Sequence, residues 1–140
     1  MINECFEKGL LKRTRKDHDR ALGSLKIARS FIEKAEANIK INFPDVASLM
    51  AYDSMLQSVR AFLFDSGILE RSHYCAIKYA SDNIKENEIQ SVLRILNSYR
   101  ILRHKIQYEG ETIEKKNSEE MIKDAKKLVD FMENKLKLHS

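Results

Sequence analysis

Residues 21–40, ALGSLKIARSFIEKAEANIK, carry apolar side chains at Ala21, Leu25, Ala28, Ile32, Ala35 and Ile39. Steps of three and four place all six on one face of a helix, and a strand would scatter them. The stripe also alternates small with large residues, so a partner helix can approach its backbone closely. Asp17 or Asp19 caps the start of this helix, and the chain breaks before Pro44.

The same period recurs on both sides. Pro44 and Asp45 open a helix whose inward face is Leu49, Tyr52, Leu56, Val59 and Leu63, and Ser66 with Gly67 end it. Ser72 caps a shorter helix that runs to about Asp82. After the polar stretch SDNIKENE a fifth segment follows the stripe Ile89, Val92, Leu96 and Tyr99. A last helix is expected to begin after Asn117 or Ser118, with Met121 or Ile122, Ala125, Leu128, Met132 and Leu136 facing inward and lysines toward its C-terminal end. A short amphipathic segment, Ile2 to Leu11, precedes the basic run KRTRKDHDR at 12–20, which reads as a linker.

The expectation is therefore an all-α protein: an up-and-down four-helix bundle core with a short additional N-terminal helix, one domain spanning residues 1–140. Composition agrees, with 43% hydrophobic and 33% charged residues, one Pro, four Gly and no Trp. Apolar runs such as AFLF at 61–64 fall far short of the roughly 20 residues a membrane helix needs. Cys5 and Cys75 are too few and too far apart to suggest a disulfide framework, and no apolar signal-peptide core is visible, so a cytoplasmic location without membrane partners is expected.

The fifth stripe breaks its own rule. After Tyr99 its next member is Arg103, a permanent cation where the period asks for a core side chain. Arg100, His104 and Tyr108 form one ridge of that helix, and Tyr99, Arg103 and Gln107 the next, before Gly110 ends it. Cations, an imidazole and a phenol thus gather at one helix end, a candidate functional site that fixes no single activity but whose cations could meet phosphate. In the plainer reading Arg103 pairs with a core carboxylate such as Asp53, while Arg100 and His104 meet solvent. Breaking such a pair, if buried, costs about 3–5 kcal/mol.

Ser72 and His73 form a second candidate: a helix cap, or a helix N-terminus able to hold phosphate. No metal site is expected, because His73 and Cys75 point to different faces and no CxxC or HxxxH accompanies them. Glycine-rich phosphate loops are absent, and no cofactor is expected.

Three stretches resemble the HEPN domains (higher eukaryotes and prokaryotes nucleotide-binding), in particular their small stand-alone prokaryotic members. They are ECFEKGLLKRTRKDHDRALGSLKIARSFIEKA at 4–35, AYDSMLQSVRAFLFDSGILERSHYCAIKYA at 51–80 and RILRHKIQYEG at 100–110. The resemblance implies a helical bundle paired as a homodimer. It also implies RNA cleavage, a toxin and antitoxin role, or partnership with a minimal nucleotidyltransferase. Catalytic members carry Arg, a spacer of four to six residues and then His, whereas a spacer of four residues from Arg103 leads to Tyr108, and Arg100 precedes His104 by only three intervening residues. Three readings stay open: an RNA- or nucleotide-associated partner of a nucleotidyltransferase, a metal-independent endoribonuclease acting through Arg103 and His104, and a purely structural bundle.

Overall fold

The computed structural model describes residues 1–137. Its elements are α1 (Ile2–Glu7), β1 (Leu11–Arg13), α2 (His18–Lys40), α3 (Pro44–Ser66), β2 (Ile68–Glu70), α4 (His73–Asn83), a 3-10 turn at Asn87–Ile89, α5 (Gln90–Glu109) and α6 (Lys115–Lys137). Long helices α2, α3 and α6 pack on one another, and α4 and α5 lie against α3. The all-α bundle expected from the sequence is what forms.

The seam explains why α2 and α3 pack closely. Ala21, Ala28 and Ala35 are fully buried, and Ser54 Oγ donates to the Ala28 carbonyl at 2.8 Å, a contact only small residues permit. Tyr52, Met55, Val59 and Leu63 of α3 form the middle of the core, with Leu128, Met132 and Leu136 of α6 on its far side. Arg29 ties α2 to α6 through Asp130 at 2.6 Å and through Glu133. Tyr99, also in the core, donates to Asp124 Oδ2 at 2.5 Å and joins α5 to α6.

Three expectations need correction. α6 begins at Lys115, not after Asn117 or Ser118, because the Glu114 carbonyl already accepts from the backbone N–H groups of both. Ser118 lies within the first turns of α6 and is buried, and its hydroxyl donates to the Pro44 carbonyl at 2.9 Å, fixing α6 to the start of α3. The basic run is not a plain linker either. Its first residues form β1, which pairs antiparallel with β2 in the register Leu11 to Glu70, Lys12 to Leu69 and Arg13 to Ile68. Three-residue strands lie below any periodicity signal, and only the αL turn at Gly67 brings the second under the first.

Cys5 and Cys75 provide the third correction. They are joined in a disulfide across 70 positions, with Cα atoms 5.8 Å apart, which staples α1 to α4. Two distant cysteines give no sequence cue to such pairing. Among the described residues, no helix is long and apolar enough to cross a membrane.

Candidate functional site

Arg103 reaches the core side of α5 because the stripe Val92, Leu96, Tyr99 turns that face toward α3 and α4. Its Nη2 stands 3.9 Å from Asp53 Oδ1, an ion pair too long for a hydrogen bond. Both side chains are about one quarter exposed, at 24% and 25%. Arg103 Cζ also lies 6.0 Å from the centre of the Tyr52 ring, and its Nε is buried without a hydrogen-bond partner. The guanidinium therefore spends little of its donor capacity inside the protein.

α4 brings a further member. Ser72 accepts from the Cys75 backbone N–H at 3.1 Å and starts the helix, so the ring of His73 projects from its first turn toward α3. His73 Nδ1 is 3.3 Å from the Tyr52 hydroxyl, and the two rings lie 6.1 Å apart. Burial lowers the proton affinity of His73. Glu70 and Asp53 pull it up, while Arg103 and Arg60 push it down, and the balance leaves it below the ordinary value. Asp53 shifts upward, chiefly because burial disfavours its charge, with Arg103 and His73 opposing the rise. Burial raises the Tyr52 phenol well above its usual range, so it remains protonated.

The neighbouring ridge looks elsewhere. His104 and Tyr108 are exposed, and their rings pack on each other at 4.8 Å. Arg100 donates from Nε to Asn97 Oδ1 at 2.8 Å and lies 5.7 Å from the Tyr74 ring. The fold thus separates Arg103 from its sequence neighbour His104, about 100° away around α5, and assembles it with Tyr52, Asp53 and His73. Arg100 remains close enough to act on the Tyr52 phenol electrostatically.

Sequence reasoning offered Asp53 as a partner for Arg103 and named His73 separately, but missed Tyr52 as a polar participant, since its place in an apolar stripe marks it as core. The only signal that could have linked it to His73 is the helix start at Ser72, opposite the middle of α3. Among the described residues no group of three or more His, Cys, Asp or Glu is arranged to hold a metal. The cluster can instead bind an anion: a cation with spare donors, a second arginine beside it, and an imidazole and a phenol as neutral hydrogen-bonding groups.

No curated protein matches the chain. The model of the HEPN domain matches residues 21–135, which include every member of the cluster, the whole of α3, α4 and α5, and most of α2 and α6. With that match over most of its length, the chain belongs to the HEPN domain family, a nucleotide- and RNA-related class of helical modules.

Proposed function

We propose that the whole chain acts as one RNA- or nucleotide-binding HEPN module, a homodimer that works as the toxin-like or accessory partner of a minimal nucleotidyltransferase. The observation that carries this reading is the under-coordinated Arg103, 3.9 Å from the Asp53 carboxylate and near the Tyr52 ring, which also meets His73. A guanidinium required only for stability would be expected to close a bidentate pair. One with its Nη groups in reserve suits a phosphate that approaches from solvent. Exposed Ile101 and Tyr108, two helical turns apart on α5, offer an apolar surface on which two copies could pair.

Metal-independent RNA cleavage is the second reading. In that reaction a base takes the 2′-hydroxyl proton, the 2′-oxygen attacks phosphorus to form a cyclic phosphate, and the departing 5′-oxygen takes a proton. Arg103 would hold the charge that develops on the phosphoryl oxygens. His104 is the expected proton carrier from the sequence, but the geometry favours His73, whose depressed proton affinity keeps it neutral and able to accept at neutral pH.

The test is binding and cleavage of RNA by the purified protein in chelator, compared among wild type, Arg103→Ala, His104→Ala and His73→Gln. Binding without cleavage that disappears in Arg103→Ala supports the recognition module. Cleavage abolished by Arg103→Ala and His73→Gln supports the nuclease. An Arg103→Ala protein that only melts earlier, with no RNA or nucleotide binding in wild type, removes both. Light scattering measures the dimer, and co-expression with a minimal nucleotidyltransferase followed by size exclusion measures the partnership.

A further inference from the structure

A cavity of about 250 Å³ lies beside the two-stranded ribbon, away from α5, and four cations from three elements and a turn line it. Lys12 comes from β1, Arg20 from α2, Arg60 from α3, and Arg71 from the turn after β2. One carboxylate, Glu70, faces them, paired with Arg60 at 3.2 Å. Arg20 and Arg60 also lie near the Phe64 ring, 4.3 and 5.6 Å from its centre, which limits their motion. A second hollow of about 370 Å³ shares Arg20, Phe64 and Leu69 and adds Arg15 and Lys16 with one carboxylate, Asp17, which continues the groove past β1 toward α2 with cations still in excess.

This surface is built, not merely charged. The Thr14 N–H donates to the Gly67 carbonyl at 2.8 Å, the Asp17 N–H to Phe64 at 2.9 Å and the Arg71 N–H to Leu10 at 2.9 Å, so the backbone beneath the cations is fixed. Like charges converging on a concave wall raise the local potential and attract anions. The volume decides the size of the group held: it lies below the roughly 300–1,000 Å³ of sites that enclose a whole small molecule. A phosphate with part of its sugar fits better than an entire nucleotide. The groove adjoins the Arg103 cluster, since β2, whose Glu70 lines the groove, packs against α4, which carries His73.

We propose that this groove is a second phosphate site, holding the backbone of a single-stranded nucleic acid that runs from the ribbon to Arg103. The path rests on the reading of the Arg103 cluster as a phosphate-binding site; the groove does not. A membrane surface is less suited to it, because the cations line a hollow and Leu69 is the exposed large apolar side chain beside them.

The test is fluorescence anisotropy with a labelled uridine decamer over a range of salt, for wild type, the Arg20→Gln/Arg71→Gln double variant and Arg103→Gln. Arg20 and Arg71 are exposed, so the double variant keeps the fold, which its melting curve checks. Lys12→Gln with Arg71→Gln replaces it if loss of Arg20 from Phe64 lowers the melting temperature. We expect the double variant to bind at least about tenfold more weakly and the slope of log affinity against log salt to flatten by about 1.4, two phosphate contacts at about 0.7 each. Unchanged affinity and slope, with Arg103→Gln weakened, would overturn the second site and keep the Arg103 reading. The expected loss with Arg103→Gln unchanged would keep the phosphate site and overturn the path to Arg103. Wild type that ignores the decamer but binds phosphatidylserine vesicles through these cations would overturn the proposal in favour of a membrane surface.

Discussion

Arg103 of α5 and Asp53 of α3 face each other at 3.9 Å across the end of the core, close enough to attract and too far apart to share a hydrogen bond. The pair is neither fully buried nor free in solvent, and this intermediate state governs what its members contribute.

The full cost of breaking a buried pair, about 3–5 kcal/mol, should not appear here, because solvent screens both groups and the geometry is loose. Arg103→Met is expected to cost about 1 kcal/mol, and Asp53→Asn less, since burial already disfavours the Asp53 charge. A double-mutant cycle by chemical denaturation should give a coupling below about 1 kcal/mol. A coupling of several kcal/mol would make Arg103 a structural residue first.

Stability should depend on His73 below neutral pH. Unfolded, the ring titrates near its ordinary value of 6.5, and folded it titrates lower, so the unfolded chain binds more protons in between. The contribution of neutral His73 is complete above 6.5 and is lost as pH falls through the folded value. Asp53 acts in the opposite sense in a more acidic window: its contribution is complete below its ordinary 3.8 and is lost as pH rises through its elevated value. Melting temperatures from about pH 7.5 to 5.5 should fall more steeply for wild type than for His73→Gln. Parallel curves would mean that His73 gains its proton as easily folded as unfolded.

Gly67 ends α3 with φ near 77°, and a Cβ built there would lie 2.7 Å from the Thr14 carbonyl oxygen. Gly110 ends α5 with φ near 69° and open space around it. Gly110→Ala should cost about 1 kcal/mol from the left-handed backbone alone, and Gly67→Ala clearly more, because Thr14 cannot yield without breaking its bond to Gly67. Equal losses in denaturant titrations would show that the ribbon moves aside freely.

The Cys5–Cys75 disulfide closes a loop of 70 positions, for which removal of the cross-link is expected to cost about 2–4 kcal/mol. Reductant should lower the melting temperature of wild type and leave a Cys5→Ser/Cys75→Ser protein unaffected. A reductant-insensitive wild type would place the staple outside the stability of the bundle.

The sequence by itself determined the helices. Stripes such as Ala21, Leu25, Ala28, Ile32 and Ala35 recur at the period of the backbone, and Pro44, Ser72, Gly67 and Gly110 are local chemistry that starts or stops a helix wherever the rest of the chain lies. It also marked Arg103 as out of place, and it offered Asp53 as a partner. Only the tertiary structure decided which groups meet. It turned His104 to solvent and brought in Tyr52 and His73, 21 positions apart, whose contact depends on how α4 lies against α3. It likewise joined Cys5 to Cys75, made a strand of Leu11–Arg13, and gathered Lys12, Arg20, Arg60 and Arg71 around one hollow. Periodicity reports which face of an element is apolar, whereas a site arises from distances between elements, and those are set by packing.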